Sequence, residues 1–272
     1  MDTKALRSLP SVDKLAARLD GISLSDHVRT RAAREAVERS RMAVKAGESV
    51  TEDSIVLLAK ALCGRYEWPG GQPAINMSGV ILHTGLGRAR LDLPTSAAID
   101  GVQSSHVLLE LDWETGGRGD RNEGVRTQLC ELTGAEDAIV VNNCAAAVLL
   151  ALRTHCAGRE VVLSRGQMVE IGGSFRMPDV VLESGCRLVE VGCTNKTRLS
   201  DYDRAWTDDT AAILRCHPSN FRIVGFTEEP TAKELAVLAH SRGGILIDDV
   251  GHGCMVDTTI YGLPKERTLR CV

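Results

Sequence analysis

Little in this sequence would tie it to a membrane, an oxidising compartment or a metal. No apolar run approaches the roughly 18 residues of a membrane-spanning helix. The opening, MDTKALRSLPSVDKLAARLDG, lacks an apolar core and mixes acids with its bases, so it reads as neither signal nor transit peptide. A cytoplasmic protein with no membrane partner is expected. The nine cysteines form no C-x-x-C pair and no His/Cys ligand spacing. Several lie inside apolar runs and read as small buried hydrophobes, so no metal and no disulfide is expected. Neither a P-loop nor a G-x-G-x-x-G fingerprint is present, which argues against a dinucleotide-binding Rossmann protein. There is no excess of positive charge: 32 Lys and Arg against 36 Asp and Glu leave a net −4. That excludes a general nucleic-acid binder, DNA included, while leaving room for one RNA read through a local basic face. Lysine is scarce, with seven in all: Lys4, Lys14, Lys45, Lys60, Lys196, Lys233 and Lys265.

Apolar residues, by contrast, are plentiful. At 43% of 272 residues they suffice for a buried core in one large domain or two ordinary ones. Residues 1–68 read as a small helical N-terminal domain. Val12, Leu15, Ala16 and Leu19 recur at helical spacing after Ser11, a suitable N-cap. A second helix is predicted from Asp26 to about Ala46, stopped by Gly47, and a third from near Thr51 to Gly64. This region carries 12 basic and 10 acidic residues, whereas the remainder of the chain is net acidic. Trp68-Pro69-Gly70-Gly71-Gln72-Pro73 reads as a linker. Residues 74–272 then alternate strands with helices. The predicted strands are Ala138–Asn142, Glu160–Ser164, Arg187–Val191, Ala211–Cys216 and Gly244–Asp248, each short and rich in Val, Ile and Leu. Helices are expected over Ala145–His155 and Ala232–Ser241. The fold class is α/β, a doubly wound sheet with ligands at the carboxyl ends of its strands.

Three strand ends deliver polar groups to that edge. Asn142-Asn143-Cys144-Ala145 opens a helix with small residues, where backbone N–H groups and the helix dipole suit an anion. His217-Pro218-Ser219-Asn220 follows the strand AAILRC, and its side chains suit a phenolic or carboxylate oxygen. Asp248-Asp249-Val250-Gly251-His252 follows GILI. A carboxylate at a buried strand end requires a cationic partner, such as a pyridinium nitrogen or a metal ion. Adjacent acids on a strand point to opposite faces, so one enters the site and the other is structural. Taken alone, the first stretch reads more readily as an ordinary capped helix and the second as an ordinary turn, and each signal is weak. Their order, a phosphate-holding helix start, then Asn, then Asp, matches pyridoxal-phosphate enzymes of the aminotransferase fold.

Longer words narrow this further. NMSGVILHTGLGRARL, ELTGAEDAIVVNNCAAAVLLAL, VVLSRGQMVEIGGSFRMPDV, VGCTNKTR, CHPSNFRIVGFT, IDDVGHGCMVD and YGLPKE closely resemble bacterial selenocysteine synthase, the L-seryl-tRNA(Sec) selenium transferase family. LPSVDKLAARL resembles that family's N-terminal helical region. The resemblance implies an aminotransferase-like, type I pyridoxal 5′-phosphate (PLP) enzyme. It would convert seryl-tRNA(Sec) to selenocysteinyl-tRNA(Sec) by β-elimination of water and addition of selenium from selenophosphate. It also implies that residues 1–68 grip the tRNA and that the protein assembles as a homo-oligomer, a decameric ring in the family. By the same match Asp249 would partner the ring nitrogen, and Asn143, Cys144 and Ala145 would cup the phosphate. His217, Ser219, Asn220 and His252 would border the ring, and Arg88 and Arg118 would contact substrate anions through their rigid donor forks. Arg121, in the same Gly-rich stretch, reads as a surface charge.

His252 stands where the family pattern suggests serine, and Cys144 where it suggests Asn or a small residue. The family's Schiff-base lysine belongs to an SGDK-type loop, and none of the seven lysines fits it. That lysine is expected beyond Val272, so residues 74–272 are expected to be an incomplete PLP-binding domain, inactive alone. Two alternatives remain: a related PLP-dependent lyase, against which the N-terminal region speaks, and a non-catalytic tRNA-binding fragment.

Overall fold

A computed structural model describes residues 6, 8–67, 73–173, 175–266 and 268–271. Most of the expected linker, 68–72, lies outside the described residues. The chain divides into two compact units, Met1–Ser105 and His106–Val272.

In the first unit three helices follow one another: α1 (Val12–Ala17), α2 (Asp26–Lys45) and α3 (Glu52–Glu67). Ser11 caps α1 by accepting from the Lys14 N–H, and Ser25 caps α2 by accepting from that of Val28, each serving a donor the helix leaves unpaired. Gly47 takes the left-handed conformation (φ 87°) just beyond α2. Leu15 and Leu19 bury against Ala32, Ala33 and Ala36 of α2 and against Ile55, Ala59 and Leu62 of α3. The alanines leave room for close helix approach. The third helix does not stop at Gly64 as expected, because its buried face continues past it. Cys63 is in the core and Tyr66 packs on it, with its hydroxyl donating to Glu35 and its ring under the Arg31 guanidinium. Burial of that face outweighs the roughly 1 kcal/mol helix penalty of one glycine. Helix α4 (Leu93–Gln103) completes the unit.

The second unit adds α5 (Glu123–Thr133), α6 (Cys144–Cys156), β1 (Glu160–Ser164), a short hairpin β2 (Glu170–Ile171) and β3 (Phe175–Arg176), and α7 (Met177–Glu183). It continues with β4 (Arg187–Val191), α8 (Leu199–Ala205), β5 (Thr210–Cys216), α9 (Ala232–Ser241) and β6 (Ile245–Asp249). Four strands form a parallel sheet in the order β4-β1-β5-β6. Alternation along each strand splits the core. Val161, Leu163, Ala212 and Leu214 pack against Val148 and Leu152 of α6 and Met177 and Val181 of α7. Val162, Ile213 and Val191 pack on the other face against Tyr202 of α8 and Leu235 and Ala239 of α9. Helices on both faces make this the expected doubly wound α/β sheet. One expected strand is absent: Ala138–Asn142 is irregular, with Ile139 and Val140 exposed. Its composition suits a strand, but a ladder needs a partner, and no described strand lies alongside it.

Candidate active site

The carboxyl ends of β5 and β6 bring sequence-distant groups together. In the β5/β6 register Arg215 lies opposite Asp248 and Cys216 opposite Asp249. Strand alternation sends the two aspartates to different faces. Asp248 accepts from Arg215 at 3.2 Å, and Arg215 also reaches Glu229 at 3.4 Å. Asp249 faces the start of α6. Its Oδ1 accepts from the Cys144 thiol at 3.3 Å and from the Gly251 N–H at 3.0 Å, and its carbonyl accepts from the His217 N–H at 3.0 Å.

Asn143 is the N-cap of α6, its side chain accepting from the Ala146 N–H at 2.9 Å, and Cys144 and Ala145 form the first turn. Burial, reinforced by the Asp249 charge and hydrogen bond, raises the Cys144 thiol to about 11. Cys144 is therefore a neutral donor at physiological pH, and Asp249 has no cation on it in the described residues. A carboxylate at a strand end opposite the positive end of a 13-residue helix suits a ligand carrying an acidic N–H and, on the helix side, an anion.

His217, Ser219 and Asn220 leave this cluster along the loop after β5 and line a cavity of about 760 Å³. Its wall includes Ser164, Gln167, Lys196, Arg222 and Lys265, but not Asn143, Cys144 or Asp249. The Asn220 amide donates to the Glu170 carbonyl at 2.9 Å. His252 turns toward Glu266, with Nε2 4.0 Å from the carboxylate. Arg118 sits in a tight turn bridged to Leu111, its side chain 88% exposed and 3.8 Å from Glu110, the residue that also pairs with Arg121. Arg88 belongs to the first unit. Its backbone is left-handed (φ 66°), the single such non-glycine residue among those described, and its N–H donates to the His83 carbonyl at 3.1 Å. Such backbone strain costs about 1–3 kcal/mol and collects at functional sites.

Two residues escaped the sequence reading. Gln167 is fully buried: its Oε1 accepts from the Cys216 N–H at 3.1 Å and its Nε2 donates to Glu229 at 3.0 Å. Arg215 joins Glu229 to Asp248. A lone arginine inside the apolar strand AAILRC was the signal for it.

Residues 74–272 match the SelA family, described as L-seryl-tRNA selenium transferase. The chain belongs to the L-seryl-tRNA selenium transferase family. Among its relatives, the L-seryl-tRNA(Sec) selenium transferase of Methylocella silvestris is 46% identical over 271 residues, covering 97% of this chain and 58% of the relative. That of Moorella thermoacetica is 47% identical, covering 97% of this chain and 57% of the relative. The chain thus spans somewhat over half the length of these members of the selenium transferase family. Among solved structures, D-glucosaminate-6-phosphate ammonia-lyase is 22% identical with a TM-score of 0.48, over 61% of this chain and 45% of that one. 3-Amino-5-hydroxybenzoic acid synthase is 20% identical with a TM-score of 0.42, over 60% of this chain and 39% of that one. Among the described residues, no helix is long and apolar enough to cross a membrane and no His, Cys, Asp and Glu cluster suits a metal.

Proposed function

We propose that this chain carries the cofactor-binding and tRNA-binding parts of a PLP-dependent enzyme that converts seryl-tRNA(Sec) to selenocysteinyl-tRNA(Sec), with selenophosphate as selenium donor. The observation that carries the reading is the contact between Cys144 and Asp249, 105 residues apart in sequence. It sets a half-buried carboxylate against the first turn of a helix that opens with small residues, and this donor set fits PLP. Asp249 would hold the ring-nitrogen proton, in the place where the Cys144 thiol now donates. The N–H groups of Cys144 and Ala145, behind the Asn143 cap, would meet the phosphate. His217, Ser219 and Asn220 would border the ring, with His252 beside them. Bound PLP supplies an electron sink that lets the seryl α-proton and β-hydroxyl leave. Arg88 and Arg118 would hold substrate anions, and residues 1–68, net positive, would grip the tRNA. Exposed apolar side chains such as Ile75, Met77 and Leu93 support a homo-oligomeric ring in which such surface is covered.

Among the described residues no lysine hydrogen-bonds or ion-pairs with Asn143, Cys144 or Asp249, so the chain alone is read as binding without turnover. Calorimetric titration with PLP tests the site. Asp249→Asn should weaken binding about tenfold or more, the loss of a charge-assisted hydrogen bond of about 1.5–3 kcal/mol. An unchanged affinity, or no binding to the unaltered chain, sinks the assignment.

A further inference from the structure

Three element ends meet at Asp249, and two of them carry thiols. Cys144 is the first residue of α6, Cys216 the last of β5 and Asp249 the last of β6. Cys216 and Asp249 are register partners on neighbouring parallel strands, so their side chains leave the sheet on one face, about 4.8 Å apart at the backbone. The Cys144 thiol lies 3.3 Å from the Asp249 carboxylate on that face. Helix packing brings Cys144 to Cys216 by a second route. Cys144, Val148 and Leu152 recur every fourth residue and so share one side of α6. Val148 and Leu152 pack in one cluster with Ala212, Leu214 and Cys216, the alternate residues of β5 that face α6. With Cys144 on Asp249, that row of α6 ends beside Cys216. Both cysteines are free thiols, Cys144 exposed and Cys216 buried.

The geometry points to a modification site: Cys144 and Cys216 form a dithiol that a hydroperoxide converts to a disulfide, closing the start of α6 onto the end of β5. Exposed Cys144 meets the peroxide. Its sulfur attacks one peroxide oxygen, the O–O bond breaks, and the leaving hydroxide takes the Cys144 proton as water, which leaves a sulfenic acid. The Cys216 sulfur then attacks that of Cys144, the S–S bond forms as the S–O bond breaks, and the second hydroxide departs with the Cys216 proton. Two thiols are oxidised by two electrons, and one peroxide is reduced to two waters. Burial, with the Asp249 charge next, raises both thiols, Cys144 to about 11, so the reaction is slow at neutral pH and speeds as pH rises. A disulfide holds its two Cβ atoms about 3.8 Å apart. Forming it takes the Cys144 sulfur from Asp249 and draws the Cys144 and Ala145 N–H groups toward β5. The consequence for the site rests on the PLP reading above: the linked chain should bind PLP about tenfold more weakly.

The test treats the full 272-residue chain, dilute and without cofactor, with hydrogen peroxide at about pH 8.5. Free thiols are then blocked with N-ethylmaleimide, and the chain is digested with trypsin and Glu-C and read by mass spectrometry without reduction. The peptide carrying Cys144 should be joined to the peptide carrying Cys216. Asp249→Asn should speed the joining several-fold. Cys216→Ser should leave Cys144 as a sulfenic acid that dimedone traps. Cys216→Ala takes its place if circular dichroism shows that Cys216→Ser has not folded. No joined pair in the folded chain, Cys144 joined to another cysteine, or a pair that forms only in urea overturns the proposal. A linked chain that binds PLP as tightly as the reduced chain overturns its effect on the site. If the reduced chain binds no PLP, the cofactor reading fails while the peptide pair still reports on the thiols, so the two failures are distinguishable.

Discussion

Replacing Arg215 by Met removes the guanidinium from Asp248 and Glu229 at once. The Arg215 and Asp248 side chains are only 17% and 9% exposed, so the pair is largely withdrawn from water. Breaking such a pair from one side costs about 3–5 kcal/mol, because the remaining charge stays desolvated. Glu229, 44% exposed, can rehydrate, which places the expected loss near the lower figure, about 3 kcal/mol. With a urea slope of about 2 kcal/mol/M, the unfolding midpoint should fall by roughly 1.5 M. The double variant Arg215→Met/Asp248→Leu removes both charges and should recover most of that loss, since an apolar pair of similar volume often substitutes without penalty. Urea titration of the four proteins of this cycle gives a coupling of about 2 kcal/mol or more if the account is right. A loss below about 1 kcal/mol for the single variant would mean that the pair behaves like a surface ion pair. Simple additivity in the double variant would refute the coupling. PLP affinity should fall in Arg215→Met as well, because Asp248 fixes the strand end from which Asp249 projects.

Three further predictions concern the thiols and the turns. Cys144 and Cys193 are both exposed, yet Cys144, with its thiol raised to about 11, should react with iodoacetamide at pH 8 more slowly than Cys193, and Asp249→Asn should speed Cys144 several-fold without changing Cys193, as read by mass spectrometry. Burial lifts both Cys144 and Cys156 from 9.0 to about 11, so the stability these protonated thiols contribute is complete below pH 9 and lost between about pH 9 and 11; a urea midpoint that rose across this interval would contradict the sign. Gly192→Ala forces a side chain onto a left-handed backbone (φ 69°) and drives its Cβ into the Thr197 side chain, whereas Gly185→Ala (φ 81°) meets open space. The second variant should lose about 1–2 kcal/mol and the first about 1–3 kcal/mol more, and equal losses by thermal melting would discount the overlap.

Buried parallel strands were the most legible part of the fold. Glu160–Ser164 and Arg187–Val191 are strands as expected, because only short apolar runs bounded by turn residues can lie inside a sheet covered on both faces. Ala138–Asn142 has the same texture and is not a strand, since texture reports burial preference while strand formation also needs a neighbour. Local propensity makes Gly64 a stop, yet Cys63 and Tyr66 carry buried surface through it.

The site was legible in a similarly divided way. Alternation alone separates Asp248 from Asp249, and in the structure Arg215 meets the first carboxylate and Cys144 the second. Sequence could not say that His217, Ser219 and Asn220 continue away from Asp249 into a cavity, because that depends on where the loop after β5 runs.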